Sequence, residues 1–189
     1  SHVSPSKETT LTAAHLAGRD QALIVVIDIQ QKLFPHIAGH EDVVRNVTTL
    51  IQGAQVLDVP VLLTEQYPKG LGPTVAPIAD LLEETKPLEK LTFGCYADPG
   101  FRQALESAGR RQLILCGIEA HICVLQTALQ LLEAGFQVQV AADAVGSRKP
   151  DHCRVARDRL RHAGADVTVV ESVLFEMLHA AGTDAFKQI

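Results

Sequence analysis

Short apolar runs alternate with longer amphipathic stretches along most of the chain, and this pattern constrains the fold more than any other feature. Residues 22–27 read ALIVVI, an unbroken apolar run. Comparable runs, weakest at 86–90, occupy residues 59–64, 86–90, 113–117, 138–142 and 167–170. Such runs, without polar alternation, are typical of parallel strands covered on both faces. Strands separated by helices predict a Rossmann-like α/β fold of three layers, α/β/α, around one parallel sheet.

The stretches between these runs carry apolar residues at helical spacing. The predicted helices cover residues 41–57, 74–84, 99–108, 122–134 and 151–163. Glycine follows three of them, at Gly109, Gly135 and Gly164, where a helix C-terminus is commonly capped. The tail at 172–189 has further apolar residues at helical spacing, which indicates core packing or, alternatively, a subunit interface.

Length and composition predict a single domain. The chain has 189 residues, of which 47% are hydrophobic, enough for one sizeable core. We predict one domain at 21–189, preceded by a mobile N-terminal arm at 1–20. The arm lacks the apolar core of a signal peptide, and no stretch has the length of a membrane span. We therefore expect a cytoplasmic protein without a membrane partner.

Charge and cysteine content narrow the function further. The net charge is −5, and no run of Lys or Arg forms a basic face, so we expect no nucleic-acid partner. The chain is large enough to fold without disulfides. We interpret Cys95, Cys116 and Cys153 as structural thiols.

Three polar residues follow predicted strands or strand–turn units. Ligands of open parallel sheets bind outside the carboxyl ends of the strands. Asp28 and Lys90 come at two such ends, and Cys123 comes six residues after Gly117, at the start of the predicted helix 122–134. A helix N-terminus and a nearby lysine would lower the pKa of the Cys123 thiol, and Asp28 could act as its base. The simpler alternatives are a small buried thiol, a turn-forming aspartate and a solvated lysine.

Four motifs in order give the chain a resemblance to the isochorismatase-like cysteine hydrolases. They read VVIDIQ at 25–30, EKLTFGCY at 89–96, CGIEAHICVLQTA at 116–128 and AADAVGSR at 141–148. The resemblance runs from about Ala22 to the C-terminus. It implies that Asp28, Lys90 and Cys123 form a catalytic triad. It also implies a six-stranded parallel sheet of order 3-2-1-4-5-6, which sets strands one and four side by side.

The same resemblance carries three further expectations. The peptide bond between Ile118 and Glu119 should be cis. The backbone N–H groups of Glu119 and Cys123 should then form an oxyanion hole. The chain should form a homo-oligomer, as members of this family commonly do.

Departures from the family pattern bear on the substrate. The nicotinamidases of this superfamily carry an aspartate and two histidines after the second strand, which bind a metal. Here residues 64–74 read TEQYPKGLGPT, without Asp or His, so we predict no metal and no other cofactor. Isochorismatases proper use no cysteine nucleophile. The chain therefore resembles an uncharacterised subgroup, and its substrate stays open.

Residues in the loops that follow the strands are candidates for the substrate pocket. These candidates are Gln30, Phe34, Gln66, Tyr67 and Phe93. We expect His121 to make a structural hydrogen bond. The carboxylate of Glu119 should point away from the sulfur, because a negative charge opposes thiolate formation.

The leading hypothesis is hydrolysis of a small amide or ester through a thioester on Cys123. One alternative is a non-catalytic, oligomeric binding or assembly protein on the same scaffold. A second is a metal-independent amidase similar to the nicotinamidases. In the catalytic cases the partner is a small-molecule substrate.

Overall fold

Six parallel strands form one sheet at the centre of the molecule. The structure is a computed structural model and describes residues 15–189. The sheet has the order β3-β2-β1-β4-β5-β6, which confirms the predicted fold class and strand order. The strands are β1 (Ala22–Ile27), β2 (Val61–Gln66), β3 (Leu88–Lys90), β4 (Gln112–Ile118), β5 (Gln137–Gly146) and β6 (Asp166–Thr168). β1 pairs with both β2 and β4, so the first strand lies in the interior of the sheet.

Helices and short turns connect the strands. The α-helices are α1 (His40–Val56), α2 (Pro68–Leu71), α3 (Ala76–Ala79), α4 (Pro99–Ala108), α5 (Leu125–Glu133), α6 (Pro150–Ala163), α7 (Val170–Leu178) and α8 (Asp184–Gln188). Two 3₁₀ turns lie at Phe34–His36 and Cys95–Ala97, and a π-helical turn at Ala120–Val124 precedes α5. Among residues 15–189, no helix has the length and apolar character needed to cross a membrane.

Successive residues of β1 supply two separate hydrophobic cores. Ala22, Ile24 and Val26 pack into a core with residues of α1 and α7. Leu23, Val25 and Ile27 pack on the opposite face with residues of α4, α5 and α6. All six side chains are fully buried, because a strand alternates its side chains between two covered faces. This accounts for the unbroken apolar run and fixes β1 in the middle layer.

Two sequence-based element boundaries were wrong. The predicted helix 74–84 is a single α-helical turn, α3, because the chain then continues through i→i+3 bonds such as Leu81 N–H to the Ile78 carbonyl. The predicted strand 167–170 is shorter at its end. Val170 instead begins α7, because its N–H donates to Asp143 Oδ1 at 2.9 Å. α7 buries Val173, Leu174, Met177 and Leu178 in the core, as predicted for the apolar residues there.

Part of the predicted N-terminal arm belongs to the domain. Residues 1–14 of that arm lie outside the described residues. Ala17 is buried, and its N–H donates to Glu176 Oε1 at 2.9 Å. Gly18 and Arg19 donate to Gln112 Oε1 and the Leu57 carbonyl. Hydrogen bonds therefore hold residues 17–19 of the predicted arm against the sheet and the helices packed on it.

Candidate active site

The end of β1 places a carboxylate inside the protein. Asp28 follows Ile27 directly, has a φ of 55° and is fully buried. Its Oδ1 accepts a hydrogen bond from Thr64 Oγ1 at 2.8 Å, and its Oδ2 accepts one from Lys90 Nζ at 2.7 Å. Both oxygens therefore have protein donors, as a buried carboxylate requires.

Lys90 reaches this carboxylate from the far side of β2. It ends β3, which is separated from β1 by one strand, and its side chain is 1% exposed. Besides Asp28, the ammonium donates to Gln66 Oε1 at 2.7 Å and to the carbonyls of Thr92 and Phe93 at 3.1 and 3.0 Å. A buried ion pair needs such additional hydrogen bonds to offset its desolvation. The pair is thus held rigidly at the carboxyl edge of the sheet.

The pKa of Lys90 lies above that of an ordinary lysine. Burial lowers this pKa, but the negative charge of Asp28 and the nearby Cys95 and Cys123 raise it by more. The amine therefore stays protonated at neutral pH. Its chemical contribution is a fixed positive charge rather than a proton that can be given up.

The turn after β4 brings Cys123 to the same edge. Gly117 has a φ of 120°, and a Cβ on it would collide with the backbone of Ile27, its partner residue on β1. Only glycine allows the two strands to approach so closely here. The peptide bond between Ile118 and Glu119 is cis. The π-helical turn follows, and Cys123 lies in it with 7% exposure.

The surroundings of Cys123 correct two sequence-based expectations. Cys123 lies one turn before α5, in the π-helical turn, rather than at the N-terminus of an α-helix. Its pKa is raised, not lowered: burial contributes most, the Asp28 charge contributes further, and the Lys90 charge opposes both. The pKa of a thiol depends on its burial and on nearby charges, and both come from tertiary contacts that its position in a helix does not reveal. In the resting site the sulfur is therefore a neutral thiol.

The candidate pocket residues divide between structural roles and positions near the site. Gln30 is fully buried, and its side-chain amide bonds the backbone of Gln66 and Gly72, which gives it a structural role beside the site. Gln66 orients Lys90 and donates to the Leu91 carbonyl. Phe34 packs on the core, with its ring 4.9 Å from that of His40. These contacts make Gln66 and Phe34 parts of the framework.

Two of the candidates keep exposed side chains. Tyr67, 51% exposed, lines a cavity of about 470 Å³ together with Lys90, Leu91 and residues of the Ala97–Pro99 turn. Phe93 is 55% exposed, while its carbonyl accepts from Lys90. The wall of this cavity therefore includes one residue of the Asp28–Lys90 pair.

Several functional neighbours were missed by the sequence reasoning. Thr64 orients Asp28, which its place at the end of the strand beside β1 could have indicated. Cys95 is fully buried, with its pKa raised to about 12 by burial and then by Asp28, so a second thiol lies close to the ion pair. Arg148 binds the Glu119 carboxylate through its N–H and Nε at 3.0 and 2.9 Å.

The remaining expectations for this loop concern His121 and Glu119. The Nδ1 of His121 lies 2.8 Å from Ser147 Oγ, the predicted structural hydrogen bond. The Glu119 carboxylate pairs with Arg148. The negative charge of Glu119 is therefore paired with the guanidinium of Arg148.

Metal-ligating side chains do not gather in the part of the chain that the structure describes. No group of three or more His, Cys, Asp or Glu residues there has the arrangement to hold a metal ion. Glu65, the carboxylate within the segment 64–74, lies near the end of β2 and is buried, and its Oε2 accepts from Thr74 N–H and Oγ1 at 2.7 and 2.8 Å. Its contacts hold the segment in place.

The fold and the site together define a three-layer α/β/α protein with a buried polar centre at the carboxyl edge of its sheet. Residues 22–172 match the model of the isochorismatase domain. The chain belongs to this family, and membership suggests a hydrolase.

Curated relatives of the chain are isochorismatase domain-containing proteins. Isochorismatase domain-containing protein 2 from Danio rerio is 40% identical over 169 residues, which cover 89% of this chain and 84% of the relative. Its counterpart from Homo sapiens is 38% identical over 169 residues, covering 89% and 80%.

Solved structures give the same fold. The MAR1 ribonuclease from Caenorhabditis elegans is 34% identical, with a TM-score of 0.86 and coverage of 92% of this chain and 89% of that one. The YcaC gene product from Escherichia coli, an octameric hydrolase of unknown specificity, has a TM-score of 0.84 at 24% identity, covering 90% and 85%. The latter similarity establishes the fold alone.

Proposed function

We propose that the chain hydrolyses a small amide or ester, with Cys123 as nucleophile and Asp28 and Lys90 as its partners. The single observation that carries the proposal is the buried Asp28–Lys90 ion pair, whose charges act directly on the thiol of Cys123. A buried charge pair beside a cysteine, at the sheet edge where ligands bind, is costly to maintain and has a clear use in proton transfer.

The first step follows from the raised pKa of the thiol. Because the thiolate is not formed in advance, the proton moves from sulfur to Asp28 as sulfur attacks the substrate carbonyl. The negative charge passes from the Asp28 carboxylate to the carbonyl oxygen. Backbone N–H groups of Glu119 and Cys123 stabilise that oxygen in our proposal. Lys90 keeps its proton throughout and holds the ion-pair geometry.

The second half of the reaction returns each group to its starting state. Protonated Asp28 gives its proton to the leaving amine or alcohol, and a thioester on Cys123 remains. Asp28 then accepts a proton from water as the water oxygen attacks the thioester. When the carbon–sulfur bond breaks, Asp28 returns that proton to sulfur, which leaves the acid and the free thiol. Thr64 and Lys90 hold Asp28 in position in both halves.

A substrate screen tests this function. The panel contains small primary amides, ureas, esters and nicotinamide, and each compound is assayed with wild type, Cys123→Ala and Asp28→Asn. Hydrolysis by wild type that both variants lose by at least about 10³-fold supports the mechanism. A panel on which Cys123→Ala matches the wild type overturns it, and the non-catalytic alternative then gains support.

RNA cleavage is a second candidate, because one relative with 34% identity is described as a ribonuclease. The buried position of Cys123, at 7% exposure, favours a small carbonyl substrate over a polymer. Incubation of a single-stranded RNA with wild type and Cys123→Ala distinguishes the two. Cleavage by both proteins at equal rates would place RNA hydrolysis outside the thioester mechanism.

We also propose that the chain forms a homo-oligomer. Large apolar side chains are exposed on its surface, including Leu91 at 74%, Phe93 at 55% and Phe175 at 50%. Exposed apolar groups of this size are common at subunit interfaces. Light scattering after size exclusion measures the mass directly, and a mass near 20.4 kDa would contradict the proposal.

A further inference from the structure

A second cavity, distinct from that lined by Tyr67, adjoins the nucleophile loop. We call it the basic cavity: it measures about 710 Å³ and is lined by Leu33, His36, Arg148, Lys149 and His152. Four of the five residues carry a positive charge or can acquire one, and the fifth is apolar. No carboxylate lines it. The protein as a whole has a net charge of −5, so this concentration of cations departs from the composition of the chain.

The guanidinium of Arg148 is held through its Nε atom, while its two Nη atoms make no hydrogen bond to the described residues. Its backbone N–H and its Nε both donate to Oε1 of Glu119, whose side chain is 6% exposed. Within residues 15–189, its Nη1 and Nη2 atoms have no hydrogen-bond partner, and Lys149 forms no ion pair. A guanidinium anchored through Nε still offers donors to a planar anion.

Contacts link the basic cavity to the loop that carries Cys123. Glu119, which binds Arg148, is four residues before the nucleophile. His121 lies two residues before it, and its ring is 4.8 Å from the ring of His152 in the cavity wall. The pKa of His121 is lowered by burial and by the positive charges of His152 and Arg148, against the opposing charge of Glu119. The Arg148–Glu119 hydrogen bonds and the His121–His152 ring contact therefore place the basic cavity against this loop.

We propose that the basic cavity binds an anionic group, carboxylate or phosphate, of the substrate whose carbonyl reacts at Cys123. This proposal rests on the proposed function and specifies its substrate class: a small amide or ester that carries a negative charge. Arg148 and Lys149 bind the anion, and Leu33 contacts the apolar part of the molecule. Because Glu119 joins Arg148 to the nucleophile loop, an anion held there is placed at a fixed separation from the sulfur.

Anion binding is tested without turnover. Titration calorimetry measures the affinity of inorganic phosphate and of succinate for the full-length Cys123→Ala protein. The same titrations are made after adding Arg148→Gln, Lys149→Gln or, as the matched control, Lys69→Gln, which removes a lysine from the wall of the other cavity. We expect at least a tenfold loss of affinity with Arg148→Gln, a threefold to tenfold loss with Lys149→Gln and no change with Lys69→Gln.

The variants separate binding from folding. Arg148→Gln removes the partner of a buried carboxylate and can disturb the loop, whereas Lys149→Gln leaves the Glu119 contact intact. Tighter binding of phosphate or of succinate identifies which anion the cavity prefers. Equal affinities in all four proteins, or no binding of either probe at millimolar concentration, would overturn the proposal.

A substrate comparison keeps the two proposals distinguishable. Amides with and without a terminal carboxylate are compared in wild type, and the ratio of their kcat/KM values should exceed about ten and fall toward one in Lys149→Gln. If Cys123→Ala still hydrolyses amides, the proposed function fails, yet the titrations decide anion binding independently. If neither anion binds while Cys123→Ala is inactive, only the inference about the substrate class is lost.

Discussion

Lys90→Met tests whether the Asp28–Lys90 pair is the buried charge pair on which the site depends. Lys90 Nζ and Asp28 Oδ2 lie 2.7 Å apart, and both side chains are 1% exposed. Removing the ammonium leaves a buried carboxylate without its cationic partner, although Thr64 still donates to it. Breaking a buried pair in this way typically costs about 3–5 kcal/mol. A small domain has about 5–15 kcal/mol of stability in total, so the loss should be large.

Arg45→Met supplies a control that differs in burial. Arg45 and Asp42 also lie 2.7 Å apart, but their side chains are 67% and 73% exposed. Exposed pairs contribute about 0–1 kcal/mol, so this variant should be nearly as stable as wild type. Urea unfolding followed by circular dichroism at neutral pH measures both free energies.

The double variant Asp28→Asn/Lys90→Met separates the charge from the hydrogen bonds. It removes the uncompensated carboxylate, so it should be more stable than Lys90→Met alone by about 1–3 kcal/mol. A Lys90→Met variant no less stable than Arg45→Met would refute the claim that the pair is buried and coupled.

Three further predictions concern the titration of the site and the turn that builds it. Asp28→Asn should abolish turnover and yet speed alkylation of Cys123 by iodoacetamide, because it removes the negative charge that raises the thiol pKa; slower labelling than in wild type would contradict this. Since the folded pKa of Lys90 is raised, its stabilisation is complete below the unfolded pKa of about 10.4 and is lost as pH rises through the folded pKa. Wild type should therefore lose stability relative to Lys90→Met as pH rises above about 10, and equal losses over that range in urea unfolding would argue against the shift. Gly117→Ala should destabilise the fold by about 2–5 kcal/mol through its collision with Ile27, whereas Gly109→Ala, which also has positive φ but meets nothing within 4 Å, should cost only about 1–2 kcal/mol in the same assay.

The sheet could be predicted from sequence because its strands are local and strongly apolar. The run at Ala22–Ile27 is buried on both faces, so its composition alone requires a central strand. The strand order came from the four-motif resemblance, since a local pattern does not specify which strands are neighbours. Boundaries failed where a distant residue decides them, as when Asp143 of β5 caps the start of α7 at Val170.

The residues of the candidate site could be proposed from the sequence, but the direction of the Cys123 pKa shift could not. Strand-end positions and motifs pointed to Asp28, Lys90 and Cys123, and the charges of Asp28 and Lys90 act on the Cys123 thiol. The catalytic role of the three residues stays a prediction. The direction of the thiol pKa was wrong, because it depends on burial and on a carboxylate that lies 95 residues earlier in the chain. The partner of Glu119 had a usable signal: a buried carboxylate needs a cation, and Arg148 stands in the last of the four motifs.

The most direct test of the central claim compares two cysteines that lie near the same ion pair. Cys95 and Cys123 are both buried, and both raise the pKa of Lys90. An amide or ester that wild type hydrolyses is given to Cys95→Ala and Cys123→Ala, and intact-protein mass spectrometry records any acyl adduct. The account predicts turnover and an adduct on Cys123 in Cys95→Ala, and neither in Cys123→Ala. Turnover by Cys123→Ala at the wild-type rate would contradict the proposal that this sulfur attacks the substrate.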